Sequence, residues 1–196
     1  MKKIYEKIKP FFSVILGTLL LLSYLFYVQR DGSALALGIV SIVVAAFYIG
    51  YGVVAIILGD KLPALLKKIL DVVVVCLFPA FMFTEFLIIT INLYDNYTPA
   101  GWIIAILGMV AALGIAAIYA VASFVKVKIL GRLVQLFALI FVLALLMNVL
   151  FDATGLPEIL GNIALVYLII YSTYACILFS AIGTLGNGEK VEEPEE

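Results

Sequence analysis

Histidine is absent, and charge is scarce: 13% of the residues are Asp, Glu, Lys or Arg, about half the share of a soluble domain. Losing histidine removes the commonest metal ligand and general base, and with it haem ligation. There is no Walker loop, no Ser/His dyad, no pair of intramembrane aspartates and no acidic cluster able to hold Mg²⁺. ATP hydrolysis, intramembrane proteolysis, headgroup transfer and di-haem electron transfer are therefore excluded as readings, and the chain is expected not to be an enzyme and to carry no cofactor. The two cysteines, Cys76 and Cys176, lie inside apolar blocks without the partners of a metal site and read as small apolar residues. A net charge of −1 gives no reason to expect nucleic-acid binding.

What the chain has instead is apolar surface. Hydrophobic residues make up 66% of its 196 positions, far above a soluble domain's share, and they fall into long uninterrupted blocks. A helix needs about 20 apolar residues to cross a hydrocarbon core. By that measure there are six expected spans: 11–28, 34–59, 72–94, 102–125, 133–151 and 159–185. A transmembrane barrel would alternate apolar and polar residues in shorter segments; these blocks do not. The expected fold is an all-α membrane bundle of six helices in three antiparallel hairpins, 11–186. It is preceded by an amphipathic segment, 1–10, and followed by an acidic tail, 187–196, too polar to bury a core.

Charge orients the spans. Lys2, Lys3, Lys7 and Lys9 precede the first. Lys61, Lys67 and Lys68 follow the second, Lys126, Lys128 and Arg132 follow the fourth, and Lys190 is in the tail. Only Arg30 among the 12 basic residues falls on the other side, with Asp31, Asp95, Asp152 and Glu158. Basic residues accumulate on cytoplasmic loops, so both termini are expected inside the cell, in the plasma (inner) membrane. Tyr24, Tyr27, Tyr94, Tyr97 and Trp102 cluster near the outer ends, as interfacial aromatics do. Residues 1–10 and 62–70 set apolar residues against lysines, the pattern of segments lying along anionic headgroups and equally of ordinary loops flanking membrane spans. The run Ser33-Ala34-Leu35-Ala36 resembles a signal-peptidase site, but about 18 apolar residues precede it, more than such signals carry. The first span is expected to stay.

Helices in lipid associate through small residues that let backbones approach. Gly108, Ala112, Ala116 and Ala120 recur every four residues in the fourth block, with shorter versions at Ala46/Gly50 and Ala55/Gly59. Such a stripe serves packing within the chain, or docking of another membrane subunit or a second copy. The second and fourth blocks share this Gly/Ala texture, which is compatible with duplication.

Glu85 lies roughly 12 Å from the outer end of the third span, at 1.5 Å per residue. An ionisable group at such depth is a functional-site hypothesis. No Lys or Arg matches its depth. It is therefore a neutral acid bonded to a neighbouring helix, a contact for a substrate or cation, or a proton relay. Asn92 follows on the same helical side, and Pro79 removes a helix donor, freeing a carbonyl beside any cavity. In the sixth span Tyr167, Tyr171 and Tyr174 form one stripe and Thr173, Cys176, Ser180 and Thr184 another. Deep tyrosine hydroxyls need partners, supplied by neighbouring helices or by a lined cavity. Tyr119, Gln135, Asn148 and Asn162 are isolated polar residues of the same kind.

Size and a six-span layout resemble two bacterial groups. One is the substrate-binding S components of energy-coupling-factor vitamin transporters, which carry an Ala-x-x-x-Ala motif in the first span; the block 11–28 has no alanine. The other is the HdeD-like membrane proteins, similar in hairpin layout and in the small-residue texture of 33–59. Neither likeness carries site residues over. Two functions are open: a non-enzymatic membrane subunit or scaffold, and a small transporter or substrate-binding component built around Glu85, Asn92 and the last-span tyrosines. A sealed interior favours the first, and a wet cavity reaching Glu85 the second.

Overall fold

The computed structural model describes residues 2–27, 34–59, 61–92, 99–125, 127–150 and 163–185. Among them are six helices: α1 (Lys2–Tyr27), α2 (Ala34–Leu58), α3 (Ala64–Asn92), α4 (Pro99–Phe124), α5 (Lys128–Leu150) and α6 (Ile163–Leu185). Helices are the form these sequences must take in lipid, because every backbone N–H and C=O then finds its partner within the segment.

Four helices contain stretches long and apolar enough to cross a membrane: Gly38–Leu58, Gly101–Phe124, Ile129–Met147 and Val166–Gly183. Ile8–Ser23 is a shorter apolar helix within the expected first span. At most 44% of any of the four windows is buried, and large apolar residues such as Val43, Ile57, Ile103 and Ile129 stand exposed on their surfaces. That distribution suits a lipid solvent and opposes an aqueous one. The expected third span lies on α3, which is continuous from Ala64 to Asn92 through Pro79. The expected amphipathic segment is likewise continuous with the span it precedes, since α1 runs through Pro10 without a break.

Each helix packs on its sequence neighbours, and α1 closes against α6, so the six form a ring; α3 also reaches α6 across the middle. One buried apolar cluster fills the interior, with Leu16, Tyr48, Phe78, Phe86, Phe141 and Tyr174 among its fully enclosed members. The tightest crossing is α1 on α2. A Cβ at Gly17 would stand 2.7 Å from the carbonyl oxygen of Ala45 and 2.9 Å from the amide nitrogen of Ile49. One at Gly52 would meet the carbonyl oxygen of Pro10 at 2.7 Å. Backbone touches backbone at both places, so only glycine fits.

Candidate functional site: a polar junction on α3

The polar contacts of the bundle converge on one stretch of α3, residues 71–78. At its start, Asp71 Oδ1 lies 2.9 Å from Lys9 Nζ of α1. The same oxygen accepts a hydrogen bond of 2.7 Å from the Tyr51 hydroxyl of α2. The lysine side chain is only 10% exposed. A buried ammonium needs both a counter-charge and hydrogen bonding to be tolerated, and the carboxylate supplies both. Asp71 is more open, at 34% of its side chain, so the pair sits at the margin of the apolar interior.

One turn further on, the Tyr48 hydroxyl of α2 donates to the carbonyl of Val74 at 2.7 Å. The Tyr174 hydroxyl of α6 donates to the carbonyl of Val75, also at 2.7 Å. The second bond has a clear cause in the sequence. Proline at position 79 has no N–H to give the carbonyl four residues earlier, which is that of Val75. An orphaned carbonyl in a dry interior is costly, and Tyr174 satisfies it from a helix nearly a hundred residues away along the chain. On the fourth side, the thiol of Cys76 reaches the carbonyl of Ala116 on α4 at 3.5 Å. Four neighbouring helices thus each hold α3 by a polar contact within two turns.

Aromatic packing closes the level beneath. Tyr174 stacks on Phe78 with ring centroids 4.3 Å apart and 25° between planes. Phe141 of α5 meets Tyr174 edge-on at 6.1 Å, and Tyr171 meets Phe78 edge-on at 6.4 Å. Such arrangements add about 0.5–1.5 kcal/mol each beyond burial.

The tyrosine stripe of the last span therefore faces inward. Tyr171 and Tyr174 are buried, and Tyr167 is half-buried with its ring 5.9 Å from that of Tyr171. The second stripe is partly bonded to its own helix: Thr173 donates to Ile169 and Ser180 to Ile177. Thr173 and Cys176 also edge a shallow groove of about 260 Å³ between α1 and α6, with Phe12, Leu168, Ile169 and Ser172. The small-residue stripe of α4 is turned toward α3. Phe86 lies against the bare backbone of Gly108, Ala112 is buried, and Ala116 accepts the thiol bond. Ala120 is half-buried, while Ala46 and Gly50 lie on an exposed face of α2. Glu85 and Asn92 are on α3, but their side chains lie outside the described residues, as do those of Tyr24, Tyr27, Asn148 and Thr184. Arg30, Tyr94, Tyr97, Asn162 and the tail 187–196 also lie outside them.

Reading by sequence missed Lys9, Asp71, Tyr48 and Tyr51. Lys9 and Asp71 look like ordinary block-end charges, and the two tyrosines are lost in an apolar run. A usable signal was present all the same: Asp71 is an acid embedded among lysines, and Tyr48 and Tyr51 share a helical face. Among the described residues no three His, Cys, Asp or Glu side chains group as a metal site. No family model, curated protein or solved structure matches the chain.

Proposed function

We propose that the protein is a multi-pass subunit or scaffold of the plasma (inner) membrane without enzymatic activity. In this reading six helices cross as three hairpins, with both termini cytoplasmic. The observation that carries it is the packing around Tyr174. Its ring is fully enclosed between Phe78 and Phe141, and its hydroxyl is committed to the Val75 carbonyl. At this level Tyr48 and Tyr174 spend their hydroxyls on the carbonyls of Val74 and Val75, and Phe78, Phe141 and Tyr174 are fully buried against one another. A transport role would need an aqueous path past these rings. Recognition in this reading uses the outward faces, where large apolar residues such as Val43 and Ile57 on α2 are 63% and 69% exposed.

Photo-crosslinking residues introduced at Val43 and Ile57 test this reading in native membranes. A discrete protein adduct, or a covalent dimer of this chain, is the expected product. Lipid adducts alone would count against a subunit role. The competing role rests on Glu85: a folded Glu85→Gln variant should leave the adduct intact, whereas a transporter centred on that acid would lose coupled flux.

A further inference from the structure

The structure brings two separate connections together at one end of the bundle. Lys68, in the first turns of α3, places Nζ 4.7 Å from the ring centroid of Phe124 at the close of α4. The turn between α2 and α3 and the turn between α4 and α5 are therefore neighbours. Their cations are exposed: Lys61, Lys67 and Lys68 on one side, Arg132 on the other. The only ion pair among the described residues is Lys9–Asp71. It uses the nearby acid internally and leaves these four without a described carboxylate.

Large apolar side chains alternate with these charges along the chain. Leu65 and Ile129 are each 65% exposed. Lysine and arginine beside outward-facing leucine and isoleucine, at the mouth of apolar helices, match the two layers of a lipid surface. The aliphatic side chains suit the acyl boundary, and the cations suit phosphate oxygens one layer out. An acidic protein segment would satisfy the charges but leave the flanking aliphatic groups in water.

We propose that this rim is a binding surface for anionic phospholipid headgroups, with Lys61, Lys67 and Arg132 contacting the phosphates and Leu65 and Ile129 seated against the chains. Lys68 is held back on Phe124 and contributes field more than contact. The proposal rests on the membrane reading but not on which side of the membrane the rim faces.

The full chain, purified in a zwitterionic detergent, tests it by thermal unfolding and by native mass spectrometry. The probes are short-chain phosphatidylglycerol, short-chain phosphatidylcholine and inorganic phosphate. Phosphatidylglycerol should raise the melting temperature and remain bound, while the other two should do neither. Each cation near a lipid surface is worth roughly fivefold in binding, so Lys61→Gln/Lys67→Gln/Arg132→Gln should weaken retention roughly a hundredfold. A charge-keeping variant, Lys61→Arg/Lys67→Arg, controls for folding and should retain the lipid. An equal response to phosphatidylcholine overturns the proposal, as does an equal response to inorganic phosphate. So does retention that survives the triple neutralisation. Cysteine labelling that contradicted membrane crossing would remove the underlying reading instead, which keeps the two failures distinct.

Discussion

The hydroxyl of Tyr174 bonds the carbonyl that Pro79 cannot, that of Val75, at 2.7 Å. Proline mid-helix removes one backbone bond, and here a side chain from α6 replaces it. The same proline that takes one backbone bond from α3 therefore gives α6 a point of attachment to it. Pro79 and Tyr174 are far apart in sequence yet act as a unit.

That unit makes a coupling testable. Tyr174→Phe should destabilise the protein by about 1–3 kcal/mol, the usual cost of leaving a buried acceptor unsatisfied. In a Pro79→Ala background the restored amide can serve Val75, so the same change should cost clearly less. Chemical or thermal unfolding of the four proteins in detergent measures the difference. Strict additivity would show that the two residues act independently.

Lys9 and Asp71 give a second cycle. Asp71→Leu strands an ammonium that is only 10% exposed and should cost about 1–3 kcal/mol, whereas Lys9→Met leaves a carboxylate 34% exposed and still bonded to Tyr51 and should cost less. Removing both should recover most of that loss, short of the bond that Tyr51 would still lack. Melting temperatures that fell further in the double variant than in either single would refute a stabilising pair.

Two glycines should respond in opposite directions to the same substitution. Gly17→Ala drives a Cβ into the α2 backbone and should loosen the α1/α2 crossing by about 1–3 kcal/mol. Gly50→Ala meets nothing within 4 Å and should gain up to about 1 kcal/mol from helix propensity. Unfolding curves of the two variants decide it.

The proposed topology predicts a labelling pattern. A single cysteine at Lys67 or Lys128 should resist an impermeant thiol reagent in intact cells and react once the membrane is opened. Modification in intact cells at either position would invert or break the arrangement of termini proposed above.

The helices themselves were legible from the chain. Blocks such as 34–59 and 102–125 contain little besides apolar residues, and α2 (Ala34–Leu58) and α4 (Pro99–Phe124) follow them closely. The interior was less legible. Helices like α2, α4 and α6 are apolar on nearly every side, so periodicity does not mark the buried face as it does in water. Tyr174 could be recognised as needing a partner, but not that the partner would be the Val75 carbonyl. Lys9 and Asp71 passed as two boundary charges because their pairing depends on how α1 and α3 meet.

The sequence by itself determined that the chain is helical and made for an apolar surround, since both follow from the length and purity of local runs. Only the tertiary structure decided which polar groups meet. In lipid there is no hydrophobic gradient to rotate one helix toward another. Among the described residues the helices are instead held to one another by close contacts at glycines, by the bond that answers a proline's missing donor and by the Lys9–Asp71 pair. Those are properties of residues brought together in space, and no stretch of sequence contains them on its own.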